Sequence, residues 1–170
     1  MDSHLEKLER ALSECMAGMS REEMSWHPPG KWCAAEVLEH LYLSYAGTVK
    51  GFERVAAAGK PLATVATWAQ RRQTLVVVSL GYMPPGRKAP AVAVPRGLPP
   101  EKVRTEILPA IRKMDEIITR CEAAFGKRDK LLDHPILGPL TAAQWRKLHL
   151  VHGLHHVKQI RSRRRAATKK

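Results

Sequence analysis

Four long stretches of this chain repeat apolar side chains every three or four residues, a spacing that demands helices, each burying one stripe. The first carries Leu5, Leu8, Leu12, Cys15, Met16 and Met19 behind Ser3-x-x-Glu6, the spacing of a capping box. Gly18 and the segment up to Pro28-Pro29-Gly30 end it. The second begins after Trp32 at Cys33-Ala34-Ala35-Glu36, a capping box with cysteine in the Ser/Thr place. Its apolar face is Val37, Leu38, Leu41, Tyr45 and Phe52, and Gly59-Lys60-Pro61 stops it after Ala58. The third runs from about Glu101 to Phe125, with Val103, Ile107, Ala110, Ile111, Met114, Ile117, Ile118 and Cys121 inward. Pro109 inside it predicts a kink, and Gly126 is placed to close it. The fourth opens at Thr141-Ala142-Ala143-Gln144, a third capping box, and reaches about Arg163.

The links are less regular. Val76-Val77-Val78 has strand propensity, but no other stretch offers a partner strand, so Thr64 to about Leu80 reads as an extra helical segment. Met83 to Pro100 holds six of the twelve prolines and reads as a long loop without helical content. Lys127 to Leu140 reads as a connector. The expected fold class is therefore all-α: a four-helix bundle with an extra helical segment and a long Pro-rich loop.

Size and composition set further bounds. In 170 residues, 44% of them hydrophobic, there is material for one buried core, which places a single domain over residues 1–160. Aromatic residues at 5% argue against a β-sandwich. No apolar run approaches the roughly 20 residues of a membrane span. The start, Met1-Asp2-Ser3-His4, lacks the pattern of a signal peptide, so the expected compartment is cytoplasmic. Cys15, Cys33 and Cys121 form no CxxC pair and read as reduced thiols.

The net charge is +13. Residues 161–170 supply six positive charges and no negative ones, and read as a basic C-terminal tail. Such a tail binds nucleic acid or other anionic partners by neutralising phosphates, or simply stays solvated. No nucleic-acid motif accompanies it, which favours the solvated reading.

The fourth helix also carries a histidine run. His149, His152, His155 and His156 are four of the chain's eight histidines. His152 and His156 lie one turn apart on one face and can grip one metal ion. On a wheel of about 100° per residue, Trp145 and Leu148 share that face, so it looks inward. His149 and His155 fall about 60° to either side, where supporting roles or proton carriage are the most they could have. No glutamate follows His152, which excludes the HExxH metalloprotease pattern. Spacing alone leaves metal binding and coincidence evenly matched, and a third ligand would decide. His40, the only histidine of the second helix, is either bonded to a backbone carbonyl or faces the pair across the bundle.

Three separated motifs resemble one family. Trp32-Cys33-Ala34-Ala35-Glu36-Val37-Leu38-Glu39-His40-Leu41 resembles the W-[ST]-x-x-E-x-L-x-H-L start of helix two in the DinB/YfiT-like superfamily. His152-Gly153-Leu154-His155-His156-Val157-Lys158-Gln159-Ile160 is similar to its closing H-x-x-H-H-x-x-Q-[IL] element. His134-Pro135-Ile136-Leu137-Gly138-Pro139-Leu140-Thr141 with Trp145 resembles HPxFGxLTxxQW, from a branch known only as a domain of unknown function. Cys33, where the helix-two pattern has Ser or Thr, is a minor departure.

The resemblance implies a DinB/YfiT-like four-helix bundle, often a homodimer, with one divalent metal on His40, His152 and His156. Characterised relatives are transferases and isomerases that use a low-molecular-weight thiol such as bacillithiol or mycothiol, or metal-dependent hydrolases. Zinc or nickel on three imidazoles would lower the pKa of bound water or hold a thiol as thiolate. The expected function is therefore a metal-dependent hydrolase or thiol-dependent transferase acting on a small-molecule substrate. Arg87, Lys88 and Arg96 of the Pro-rich loop are placed to meet an anionic one. The alternative is a non-catalytic binding or dimerisation module that uses its basic tail.

Overall fold

The computed structural model describes every residue except Pro85, Arg87, Lys169 and Lys170. Its helices begin where side chains satisfy the free N–H groups of a first turn. Helix α1 (Ser3–Met16) is capped by Asp2, whose carboxylate accepts from the His4 N–H at 2.9 Å. The cap therefore lies one residue before the expected Ser3, and the Asp2 N–H donates to Asp115 Oδ2 at 2.8 Å. A short helix α2 (Arg21–Ser25) follows, opened by a reciprocal Ser20–Glu23 capping box in what the sequence suggested was only a link. Helix α3 (Ala34–Ala58) starts where Glu36 accepts from the Cys33 N–H at 2.7 Å and ends at Gly59, φ 63°.

The valine run is helical, as expected. Helix α4 (Trp68–Thr74) passes into a π-helical turn over Leu75–Ser79. The Pro-rich loop departs from expectation with one 3-10 turn at Ala91–Ala93. Helix α5 (Pro100–Phe125) continues through Pro109. The connector before the last helix is a small antiparallel hairpin, β1 (Leu132–His134) and β2 (Gly138–Leu140), pairing Leu132 with Leu140 and His134 with Gly138. Helix α6 (Ala142–Ala167) is capped by the expected Thr141–Gln144 box.

The chain is thus mostly helical, with six α-helices and one two-stranded hairpin among the described residues. The four long helices share one core: α3 packs on α5 and α6, and α1 packs on α6 and α5. The apolar stripes read from the sequence meet there, with Leu8, Leu41, Tyr45, Phe52, Ile111 and Met114 fully buried. Gly153 lets α6 approach α1, because a Cβ at that position would lie 2.2 Å from Leu8 Cδ1. Arg146, 5% exposed, ties α6 to α5 through Asp115, Glu122 and Thr119 at 2.7–2.9 Å.

The three cysteines are free and buried, and burial pushes the Cys15 thiol up to about 11. Large exposed apolar side chains, among them Val65, Trp68, Leu80 and Val92, concentrate in the segment between α3 and α5. Among the described residues no helix is long and apolar enough to cross a membrane. The boundary expected at residue 160 falls inside α6, which continues to Ala167. Arg164 there binds Glu23 and the carbonyls of Ala17 and Gly18, so the basic run is partly built into the fold.

Candidate metal centre

Helix α3 presents His40, and two successive turns of α6 present His152 and His156, on the wall of a cavity of about 1310 Å³. His152 Nε2 lies 3.1 Å from His40 Nε2 and 3.0 Å from His156 Nε2. His40 is 4% exposed and His156 9%.

Backbone and side-chain acceptors decide which ring nitrogens carry protons. The Ala93 carbonyl sits 2.8 Å from His40 Nδ1 and can only accept, so that nitrogen is the donor. Gln159 Oε1 plays the same part for His156 Nδ1 at 3.0 Å. In the neutral rings, Nε2 of both residues is then a bare lone pair aimed at His152. Three nitrogens converge with at most one hydrogen among them, the His152 proton. Such a cluster is poorly satisfied by itself and well matched to a cation. A tetrahedral ion with bonds of 2.0–2.1 Å would set its ligand nitrogens about 3.3 Å apart, close to the spacing found. The donor set of neutral imidazoles fits a divalent metal, and the three residues could hold one.

Electrostatics favours the neutral, ligating form. Burial pulls His40 below the ordinary imidazole value, against a smaller opposing pull from the Ala93 carbonyl. Burial, reinforced by His40, pushes His156 down to about 3, and burial with the neighbouring His156 and His40 holds His152 well below its usual value.

The residues that fix the triad come from three elements. Glu39, 2% exposed, accepts from the N–H groups of Arg96, Gly97 and Leu98 at 2.6–3.2 Å. With the His40–Ala93 bond it staples the Pro-rich loop onto α3. Gln159 is itself oriented, because its Nε2 donates to His155 Nε2 at 3.0 Å. His155 thus supports His156 through Gln159. Glu39 is adjacent to His40 in sequence, and Gln159 shares the face of the histidine pair, so both carried a signal. The Ala93 carbonyl carried none.

His149, on the flank of the pair, is buried among aromatic rings. It is 4% exposed and stacks on Trp145, ring centroids 5.8 Å apart, with the Tyr45 ring 5.4 Å away. Thr48 Oγ1 donates to the Ser44 carbonyl and so accepts from His149 Nε2 at 3.0 Å. Among the described residues that leaves His149 Nδ1 as a buried acceptor without a partner, and the Tyr45 hydroxyl is also without one. Burial, with a smaller push from His134, drives His149 down to about 3. His134 accepts at Nδ1 from the Ile136 and Leu137 N–H groups, both at 3.2 Å, and also lines the cavity. Lys88 and Arg96 line it as well, whereas Arg87 lies outside the described residues.

A second cluster, His27, Cys33 and Glu36, has ligand-type atoms within 4.8 Å of one another. There Glu36 Oε2 already takes the Cys33 N–H and the His27 ring, and burial pushes the Cys33 thiol up. That cluster is accounted for as a helix cap with an exposed ion pair.

A family model described as "Protein of unknown function (DUF1569)" matches residues 1–163. No curated protein and no solved structure matches the chain.

Proposed function

Because the chain belongs to the DUF1569 family, whose description names no activity, we propose a function from the site itself: a metal-dependent enzyme acting on a small molecule. His40, His152 and His156 hold one divalent ion, zinc or nickel, through their Nε2 atoms. The carrying observation is the convergence of those three nitrogens, two of them bare acceptors, on the wall of a large cavity. A divalent ion there would supply Lewis acidity, lowering the pKa of a water or of a low-molecular-weight thiol. The chain's own residues do the rest. Ala93 and Gln159 keep the ligand lone pairs aimed inward, and burial keeps the rings neutral.

The reading includes the DinB/YfiT-like architecture that the three motifs resemble, and with it the hydrolase and thiol-transferase classes. The order of the long helices and the origin of the triad on α3 and α6 support it. A role for residues 161–170 in nucleic-acid binding has less to draw on. Arg161 lies 3.5 Å from Glu14, and Arg163 and Arg164 bond to backbone carbonyls of the fold.

The test is metal analysis of protein purified without a metal-binding tag. About one equivalent of zinc or nickel per chain is expected, lost in His152→Ala and His156→Ala with helicity retained. Protein that holds no metal, and whose melting is indifferent to added zinc and nickel, would sink the proposal. A screen of the loaded protein for ester hydrolysis and thiol transfer then separates the two reaction classes.

A further inference from the structure

We propose that the cavity takes a small molecule bearing a carboxylate or phosphate, and that Arg163 holds that anion beside the histidine triad. The inference names the substrate class of the site described above and in that respect rests on that reading.

Helix α6 carries His152, His156, Gln159 and Arg163 at spacings of four, three and four residues, one continuous stripe. All four line the cavity. Three arginines of this helix are at least partly buried, and their hydrogen bonding separates them. Arg146 uses all three nitrogens, on Asp115, Glu122 and Thr119. Arg164 also uses all three, on Glu23 and the carbonyls of Ala17 and Gly18. Arg163 uses only Nε, on the Trp32 carbonyl at 2.6 Å. Among the described residues its two terminal nitrogens have no partner, and these form the fork that grips carboxylate or phosphate in two-point fashion.

The Trp32 carbonyl fixes that fork in place, and the Trp32 ring lies 5.5 Å from the His40 ring. Glu36 is the nearby carboxylate, but its Oε2 is occupied by the Cys33 N–H and His27. Burial pulls the Arg163 guanidinium below its ordinary value, and Cys33 and Glu36 offset this only in part. A half-buried cation in that condition gains from an incoming anion.

The rest of the wall agrees. Among the described residues six Lys or Arg side chains line the cavity against one carboxylate, whereas the whole chain has 29 against 16. The one carboxylate, Asp133, is already engaged by the Thr64 N–H and hydroxyl at 3.0 and 2.6 Å. Val77, Leu137 and Leu148 offer apolar surface to the body of the ligand.

The experiment titrates zinc-loaded and metal-free protein with phenyl phosphate, benzoate and, as the uncharged control, benzyl alcohol, followed by NMR or calorimetry. At least one anion binds and the alcohol does not. Arg163→Met weakens the anion by about ten- to a hundredfold while zinc uptake stays at the wild-type level. Arg165→Met, an exposed charge on the same turn, changes nothing. Should Arg163→Met melt early, Arg163→Lys carries the test, since it keeps the charge and loses the fork. Binding to the folded Arg163 variant as tight as to wild type overturns the inference, and so does the failure of both anions to bind the wild type. Preference for phenyl phosphate or benzoate identifies which anion the site serves. If Arg163-dependent binding persists in protein that takes up no metal, the metal reading has failed and the anion site stands.

Discussion

Gln159 does for His156 what the Ala93 carbonyl does for His40: it accepts the Nδ1 proton and so frees Nε2. Groups that orient ligand histidines in this way typically contribute ten- to a hundredfold in metal affinity. Gln159→Leu keeps the size of the side chain and removes the acceptor. We expect its zinc affinity, measured by competition against a chromophoric chelator, to fall by about that factor with the fold intact; unchanged affinity would remove Gln159 from the site. At this scale the sequence was informative wherever residues share a helix face. His152, His156 and Gln159 are such residues, and His40 stood out as the lone histidine of its helix. His149 shows where that reading stops. Its position on the wheel put it on the flank of the pair, and Tyr45, Thr48 and Trp145 close over it. No helical wheel shows what a neighbouring helix covers.

The element that matters most is α6, and its depth is set by Gly153. An added methyl there would sit 2.2 Å from Leu8 Cδ1 and 3.3 Å from the Tyr45 hydroxyl, and Leu8 is fully buried with little room to yield. Alanine gains up to about 1 kcal/mol in helix propensity. Overpacking costs about 1–3 kcal/mol, so the net expectation for Gly153→Ala is a loss of up to roughly 2 kcal/mol in urea unfolding. In a Leu8→Ala background, where the space is opened, the same substitution should cost less. A Gly153→Ala protein more stable than wild type would show that α1 and α6 do not set their separation through this contact. The caps show how much of an element is local. Thr141–Gln144 and Cys33–Glu36 were legible because the box is a four-residue pattern. The hairpin over 132–140 was not, because three-residue strands are too short to show alternation.

Across the whole molecule, the buried histidines couple folding to pH. His134 is pushed down to about 4 by burial, and His149 to about 3 by burial and the nearby His134. Below the unfolded value near 6.5 the unfolded chain takes up protons that the folded chain refuses. Stability from each group is therefore full above about pH 6.5. It falls by roughly 1.4 kcal/mol per pH unit as the pH drops toward the folded value. His134→Asn retains an acceptor for the Ile136 and Leu137 N–H groups and removes one titrating ring. In metal-free protein its loss of stability between pH 7 and 5, read from urea unfolding, should be smaller than wild type by about 2 kcal/mol. Identical losses in the two proteins would mean that His134 titrates alike folded and unfolded.

The amino-acid order by itself determined the long helices, their buried stripes and most of their caps, because these depend on residues within one or two turns of each other. It also brought out His40, His152 and His156 as one candidate set, through helical spacing and motif resemblance. Tertiary structure decided what no local pattern encodes. It joined α3 to α6 so that three Nε2 atoms meet, and brought a carbonyl from the Pro-rich loop to fix one of them. It buried His149, and among the described residues it left the Arg163 fork without a partner where the sequence showed only another charge in a basic run. The division follows from range: propensity and periodicity act over a few residues, whereas partners 53 and 112 positions apart are set only when the core has packed.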